Sequence, residues 1–171
     1  YPELRLVIAG AEHARFPDYR GELRTRFNGA PGVQWLGPVD EDHVQELFRQ
    51  AQIVVLPYAA STGSSSVLYQ AATWGRAVVA SDVAEIHALA GENDLQVQFF
   101  KNGDAASLSG AIRALIDSSE RRRAQAQHNL ASIQRLRPEE TCRRYVEAFN
   151  RALEKRRSPE RISFGKKIKL A

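Results

Sequence analysis

Methionine is absent from all 171 residues, position 1 included, and the chain holds a single cysteine, Cys142. The missing methionine predicts that the sequence is a segment of a longer polypeptide. One cysteine excludes an internal disulfide and favours a reducing compartment, the cytoplasm. The helical pattern around Cys142 predicts that it packs inside a helix interface. No apolar run approaches the roughly 20 residues that span a bilayer. Four histidines without clustered cysteines give no metal-ligand spacing, so we expect no bound metal.

The excess positive charge lies at the end of the chain. The net charge is +4, but residues 155–171 hold seven Lys or Arg and one Glu, which leaves 17 basic and 19 acidic residues in 1–154. A nearly neutral body argues against a nucleic-acid partner, which requires a basic face. The tail alternates charged with apolar residues, which fits an anionic membrane surface or a partner domain. It fits a solvated or docked C-terminal extension equally well.

Short apolar runs alternate with longer amphipathic segments along the body. Such alternation is typical of an α/β fold in which a doubly wound, Rossmann-like parallel sheet is covered by helices on both faces. Residues 4–10 (LRLVIAG) read as a buried parallel strand that ends in glycine. The further predicted strands are 33–37, 53–56, 77–80 and 95–100, and the predicted helices include 66–74, 83–90 (stopped by Gly91), 104–118, 120–136 and a last helix from Pro138 to about Lys155.

The segment 53–82 (IVVLPYAASTGSSSVLYQAATWGRAVVASD) carries the strongest functional signal. An apolar strand leads through a loop of small residues directly onto a helix N-terminus. A helix start offers unpaired backbone N–H groups and the positive end of the peptide dipoles, so it attracts an anion such as phosphate. We predict that Thr62, Gly63, Ser64, Ser65 and Ser66 contact a phosphate or sugar. Helix capping, which needs only one of the serines, is the alternative interpretation.

Three loops follow predicted strands and fall on one edge of the predicted sheet: Gly10–His13, Gly37–Asp40 and Tyr58–Ser65. Ligands of parallel sheets bind at the carboxyl ends of the strands, so the site is expected where these loops meet. Tyr58 is a candidate for lining a sugar pocket, or an ordinary half-buried loop residue. The turn at Gly37, Pro38 and Val39 is either a ligand contact or a simple strand exit.

The order and spacing of LVIAG, VQWLG-PV, AQIVVLPY and QAATWGRAVVASD resemble the C-terminal, donor-binding half of the GT-B-fold glycosyltransferases of group 1 (family 4). The resemblance covers roughly residues 4–150. It implies that the loop before the helix at 66–74 holds the sugar and diphosphate of a nucleotide sugar. It also implies that Gly37, Pro38 and Val39 pack against the base. Gly10 is a predicted site residue because it begins the first of the three loops at the carboxyl edge of the predicted sheet.

The sequence departs from that family at two acidic positions. The family carries two glutamates separated by seven residues, and the matching positions here are Thr62 and Gln70. Gln70 can still accept from ribose hydroxyls through its amide oxygen, although less strongly than a carboxylate. The family's first strand and helix, which carry a diphosphate-clamping arginine and lysine, are also missing. Because that strand would lie at the middle of the sheet, we expect the isolated segment to be poorly stable or rearranged.

Two functional hypotheses follow. The first is the donor domain of a retaining glycosyltransferase that takes a nucleotide-diphosphate sugar and a glycan, lipid or small-molecule acceptor. It would use no separate cofactor, and it would need an N-terminal acceptor-binding domain of the same chain, so this segment alone would be inactive. The protein would be cytoplasmic or peripheral at the inner membrane face. The second hypothesis is a catalytically silent GT-B-like subunit that binds nucleotide or scaffolds a complex. No catalytic residue is assigned under either.

Overall fold

The computed structural model describes residues 1–12, 14–27, 29–60, 65–136 and 138–157, the side chains at 140 and 157 apart. Within these ranges strands and helices alternate, as the sequence predicts. The strands are β1 (Leu6–Ala9), β2 (Val33–Gly37), β3 (Ile53–Leu56), β4 (Ala77–Ser81) and β5 (Gln98–Phe100). The helices are α1 (Tyr19–Arg26), α2 (Glu41–Gln50), α3 (Ser66–Thr73), α4 (Ala84–Glu92), α5 (Ala105–Ile116), α6 (Ser119–Gln134) and α7 (Pro138–Arg157).

All strand pairings among the described residues are parallel. They form a two-stranded sheet, β1-β2, and a three-stranded sheet in the order β3-β4-β5. Ile53 of β3 lies opposite Ala77 of β4, and Val79 of β4 lies opposite Gln98 of β5. Parallel strands joined by helices confirm the predicted α/β class. Within the described ranges, β1 pairs only with β2 and β3 pairs only with β4.

The core is built on the two faces of β4, whose five residues are all buried. Because side chains alternate along a strand, Val78 and Ala80 enter one cluster with residues of α3 and α4. Ala77 and Val79 enter the other cluster, where they pack against α5. Helices therefore cover both faces of the three-stranded sheet, which confirms the doubly wound arrangement for this part of the fold.

Helix α6 is held on the sheet by two buried amide side chains. Gln125 accepts from the backbone N–H of Val78 at 2.9 Å and donates to its carbonyl at 3.3 Å. Asn129 does the same for Gln96, accepting at 2.7 Å and donating at 2.9 Å. Each amide thus pairs with both the backbone N–H and the C=O of one residue, in the way that a neighbouring strand would.

The prediction that β1 is a buried strand is wrong for the described residues. Leu6 and Val7 are 49% and 44% exposed. The strand has a hydrogen-bonded neighbour on one side only, and α1, the helix that follows it, has no buried residue. A parallel strand is buried when helices cover its faces and strands flank both edges, and the described part of the chain does not supply these elements around β1.

Three further details differ from the sequence prediction. Helix α4 continues through Gly91 to Glu92, because Gly91 keeps a helical backbone and Asp94 takes the left-handed conformation (φ 53°) that follows the helix end. β5 begins at Gln98 rather than at residue 95. Helix α7 runs to Arg157, past the predicted boundary between body and tail, and Cys142 on it is exposed rather than packed. Residues 158–171 of the predicted tail lie outside the described residues.

Candidate functional site

The start of α3 is fixed by a serine cap. Ser65 is the N-cap residue, and its Oγ accepts from the backbone N–H of Leu68 at 3.2 Å. The hydroxyl of Tyr58, two residues past the end of β3, lies 3.3 Å from the same Oγ. Ser65 is only 6% exposed. Its hydroxyl therefore caps the helix and contacts Tyr58. Helix capping by one of the three serines was the alternative interpretation of the sequence, and Ser65 has that role.

The first turn of α3 keeps the features of an anion site. Among the described residues, none accepts a hydrogen bond from the backbone N–H of Ser66 or Val67. The first turn contains no acidic side chain that would compete with an anion. Ser66 is exposed and Gln70, one helical turn further on, is half-buried on the same side of the helix. Leu68, Ala71 and Ala72 point instead into the core.

Three predicted site residues, Thr62, Gly63 and Ser64, lie outside the described residues. The flanking positions are described on both sides, from Tyr58 to residue 60 and again from Ser65 onwards.

The ends of β1 and β2 form a second cluster. The backbone N–H of Gly10 donates to the carbonyl of Gly37 at 2.7 Å, which brings these two predicted residues together. Gly37 has φ +71°, a left-handed conformation that residues with a side chain rarely adopt. A Cβ there would meet Nη1 at the flexible end of the Arg20 side chain, so the backbone conformation is what favours glycine at this position. Arg20 in turn pairs with Glu12 at 3.5 Å.

The two residues of the turn after Gly37 differ in their exposure to solvent. Pro38 is exposed and Val39 is half-buried. Among the described residues, no hydrogen bond joins this cluster to the Tyr58–Ser65 pair. A cavity of about 440 Å³ lies elsewhere, beside the start of β2 and the end of α1, and is lined by neither group.

Sequence reasoning missed one residue that contacts the loop after β3. Asn102, in the loop that follows β5, donates from Nδ2 to the carbonyl of Ala59 at 2.8 Å. The available signal was its position: Asn102 is a polar residue just after β5, at the same edge of the three-stranded sheet as the loop after β3. The spacing along the chain, 43 residues, gives no hint that the two positions meet.

Other polar groups at this edge belong to local structure. His87 lies 2.6 Å from Asp82 and stacks on Phe99 with ring centroids 3.7 Å apart. Within the ranges described, no group of three His, Cys, Asp or Glu could hold a metal ion. Among the helices that the structure describes, none is long and apolar enough to span a bilayer.

The model of the family described as "Glycosyl transferases group 1" matches residues 1–118. The chain belongs to this family. The match includes all five strands and α3, so it covers both residue clusters described above. The glycosyltransferase group 1 assignment confirms the resemblance inferred from the strand and loop motifs. A search of curated protein sequences finds no match.

Solved structures of glycosyltransferases share this fold. Alr3699/HepE from Anabaena in complex with UDP superposes with a TM-score of 0.76 at 21% identity, over 88% of this chain and 42% of that one. Sucrose-phosphate synthase from Thermosynechococcus elongatus gives 0.69 at 18% identity, over 87% and 38%. AviGT4, a glycosyltransferase involved in avilamycin A biosynthesis, gives 0.61 at 24% identity, over 88% and 44%. The chain thus spans about two fifths of the length of these structures.

Proposed function

We propose that this glycosyltransferase domain binds the donor, a nucleotide-diphosphate sugar, for retaining transfer to a glycan, lipid or small-molecule acceptor. The family match supports transfer of a sugar. The first turn of α3, whose N–H groups at Ser66 and Val67 have no acceptor among the residues that the structure describes, supports a diphosphate at that helix start. Similar folds have been solved with UDP, with UDP and glucose, and with UDP-glucose. The observation that carries the proposal is the combination of this fold with the N–H groups of Ser66 and Val67, for which no residue in the described part of the chain is an acceptor.

The chemistry of the proposal is electrostatic. The departing group in transfer from a nucleotide sugar is a nucleoside diphosphate, whose negative charge grows as the glycosidic bond breaks. Backbone N–H groups and the helix dipole at Ser66 and Val67 would stabilise that charge without any reorganisation, which lowers the barrier. Gly63 would allow the phosphates to approach the backbone closely, and the hydroxyls of Thr62 and Ser64 would add donors to the phosphates or the sugar.

The nucleoside would extend from the diphosphate along the sheet edge. In the proposal, Gln70 accepts from ribose hydroxyls through its amide oxygen, because it lies one turn beyond Ser66 on the same side of α3. The turn at Gly37, Pro38 and Val39 would pack against the base, with Gly10 beside it. Tyr58 would line the sugar pocket. The donor substrate is the one small molecule that the proposal requires, with no separate cofactor.

The proposal extends to the remainder of the protein. An acceptor-binding domain in the same polypeptide would complete the active-site cleft, so the isolated segment is expected to be inactive. The basic residues in 155–171 would hold the protein at an anionic membrane surface on the cytoplasmic side.

A silent nucleotide-binding subunit is the second candidate. It is favoured by an amide, Gln70, and a hydroxyl, Thr62, at the positions where the resemblance expects two carboxylates. An amide oxygen is a weaker acceptor than a carboxylate, so donor binding could survive while catalysis is lost.

Titration of the full-length protein with UDP- and GDP-sugars separates these candidates. The proposal predicts saturable binding of at least one donor, followed by hydrolysis or transfer to a glycan or lipid acceptor. Binding without turnover would favour the silent subunit. Absence of binding to every donor would contradict both. The variant Gln70→Ala is expected to weaken binding, whereas Thr73→Ala, an exposed position on the same helix, serves as the matched control.

A further inference from the structure

The cavity of about 440 Å³ beside the end of α1 and the start of β2 plays no part in the proposed donor site. Val33 and Trp35 line it from β2, where they share one face because side chains alternate along a strand. Arg24, Thr25 and Phe27 line it from the end of α1. Binding cavities for small molecules measure about 300 to 1,000 Å³, so this one is large enough to hold a ligand.

The cavity and the donor site lie at different places on the domain. Val33, at the start of β2, stands four residues before Gly37, which is about 13 Å along a strand. The described residues that line the cavity include none from the first turn of α3 and none from the turn at Gly37, Pro38 and Val39. A ligand in the cavity would therefore leave the first turn of α3 open to a nucleotide sugar.

Two hydrogen-bond donors that line the cavity have no acceptor in the described part of the chain. The indole N–H of half-buried Trp35 makes no hydrogen bond to a described residue, and neither does the guanidinium of Arg24. The hydroxyl of Thr25 already donates to the carbonyl of Gly21 at 2.9 Å. A buried indole N–H usually has an acceptor, and a guanidinium carries five N–H donors. A ligand rich in acceptor oxygens would satisfy both groups.

The charge beside the cavity is positive. Arg26 lies with its Cζ 5.6 Å from the centroid of the Phe27 ring, so a second guanidinium stands next to that of Arg24 on the same stretch of chain. Among the described residues that line the cavity, none is acidic. Charge-assisted bonds from a guanidinium are about twice as strong as neutral ones. An anionic ligand is therefore favoured over a neutral one of the same shape.

We propose that this cavity binds an acidic sugar, with Arg24 on its carboxylate and Trp35 against its ring. A guanidinium can bind a carboxylate through two parallel N–H···O bonds. The indole supplies an apolar face for the C–H groups of the ring and an N–H for a hydroxyl. Because the chain belongs to a glycosyltransferase family, glycans are the ligands that such a domain meets. The inference goes beyond the proposed donor site, since it assigns a second place that holds a uronic acid unit of a glycan.

The test uses the full-length protein, with trigalacturonate as the acidic probe and maltotriose as the neutral one. Binding is measured by titration calorimetry, with and without UDP, and thermal unfolding checks that each variant is folded. Arg24→Ala removes the guanidinium, and Trp35→Phe removes the indole N–H but keeps an aromatic ring. Arg123→Ala is the matched control, because Arg123 is exposed on α6 and, like Arg24, has no partner in the described ranges.

The wild type is expected to bind trigalacturonate about tenfold more tightly than maltotriose. Arg24→Ala should weaken trigalacturonate binding about tenfold and Trp35→Phe about threefold to fivefold, whereas Arg123→Ala should leave it unchanged. All three variants should bind UDP as the wild type does.

Absence of trigalacturonate binding, equal affinity for the two probes, or an equal loss in Arg24→Ala and Arg123→Ala would overturn the inference. So would displacement of trigalacturonate by UDP, because the two ligands would then share one site. None of these results depends on which donor the protein uses. A protein that binds trigalacturonate but no nucleotide sugar would contradict the proposed function and support this inference.

Discussion

Ser65 and Ser118 offer a matched pair of helix caps, one at the candidate site and one away from it. Oγ of Ser65 accepts from the N–H of Leu68 at 3.2 Å, and Oγ of Ser118 accepts from the N–H of Arg121 at the same distance. Ser118 is the N-cap residue of α6 and lies away from the candidate site. Replacing each serine by alanine therefore removes the same capping bond in two different places.

The expected losses of stability differ because the two hydroxyls differ in their further contacts. Removing a serine cap costs about 1 kcal/mol. Ser65 also gives up its contact with the hydroxyl of Tyr58, which adds about 0.5 to 1 kcal/mol. We expect Ser65→Ala to lower the free energy of unfolding by about 2 kcal/mol and Ser118→Ala by about 1 kcal/mol.

The functional readout separates the two variants more sharply than stability. Ser65→Ala loosens the first turn of α3, where the proposal places the diphosphate, so it is expected to weaken nucleotide binding about tenfold. Ser118→Ala should leave binding unchanged. Urea unfolding gives the stabilities, and calorimetric titration with UDP and GDP gives the affinities. Equal affinity losses in the two variants, or no loss in Ser65→Ala, would refute the reasoning.

Three further predictions concern single side chains. Gln70→Glu should tighten nucleotide-sugar binding about tenfold, because a carboxylate accepts more strongly from ribose hydroxyls; unchanged affinity in calorimetry would count against a ribose contact. Asn129→Leu should cost about 2 to 4 kcal/mol in urea unfolding, since it leaves the N–H and carbonyl of Gln96 unpaired beneath α6, and a loss below about 1 kcal/mol would disagree. The hydrogen bond from Arg135 holds the pKa of Asp94 below its ordinary value of 3.8. A carboxyl group whose pKa is lowered in the folded state stabilises that state above the ordinary pKa, and this stabilisation is lost as the pH falls through the lowered pKa. The difference in stability between wild type and Arg135→Gln should therefore shrink below about pH 4 and vanish in stronger acid. A difference that stays constant with pH would contradict this prediction.

Local patterns were enough to predict most of the elements. Apolar runs and helical spacing gave α3 and β4 nearly to the residue, because β4 is buried on both faces and α3 begins at a serine cap. The prediction failed where burial depends on distant parts of the chain. β1 has the composition of an interior strand, yet its exposure is set by which strands and helices surround it.

The helix start at the candidate site was predictable from the sequence, whereas the long-range contacts around it were not. The small-residue loop before α3 pointed to a helix N-terminus, and that helix start is present. The contact of Asn102 with Ala59 and the docking of Gln125 on Val78 were not predictable. In each case a polar side chain meets a backbone group more than 40 residues away, and no periodicity of the sequence records such a pairing.

The central claim is that a nucleoside diphosphate lies against the first turn of α3. The most direct test is amide hydrogen exchange of the full-length protein, measured with and without saturating UDP or GDP. The account predicts that one of these nucleotides slows exchange at the N–H groups of Ser66 and Val67. Saturation by a nucleotide that leaves both of these amides unprotected would contradict it.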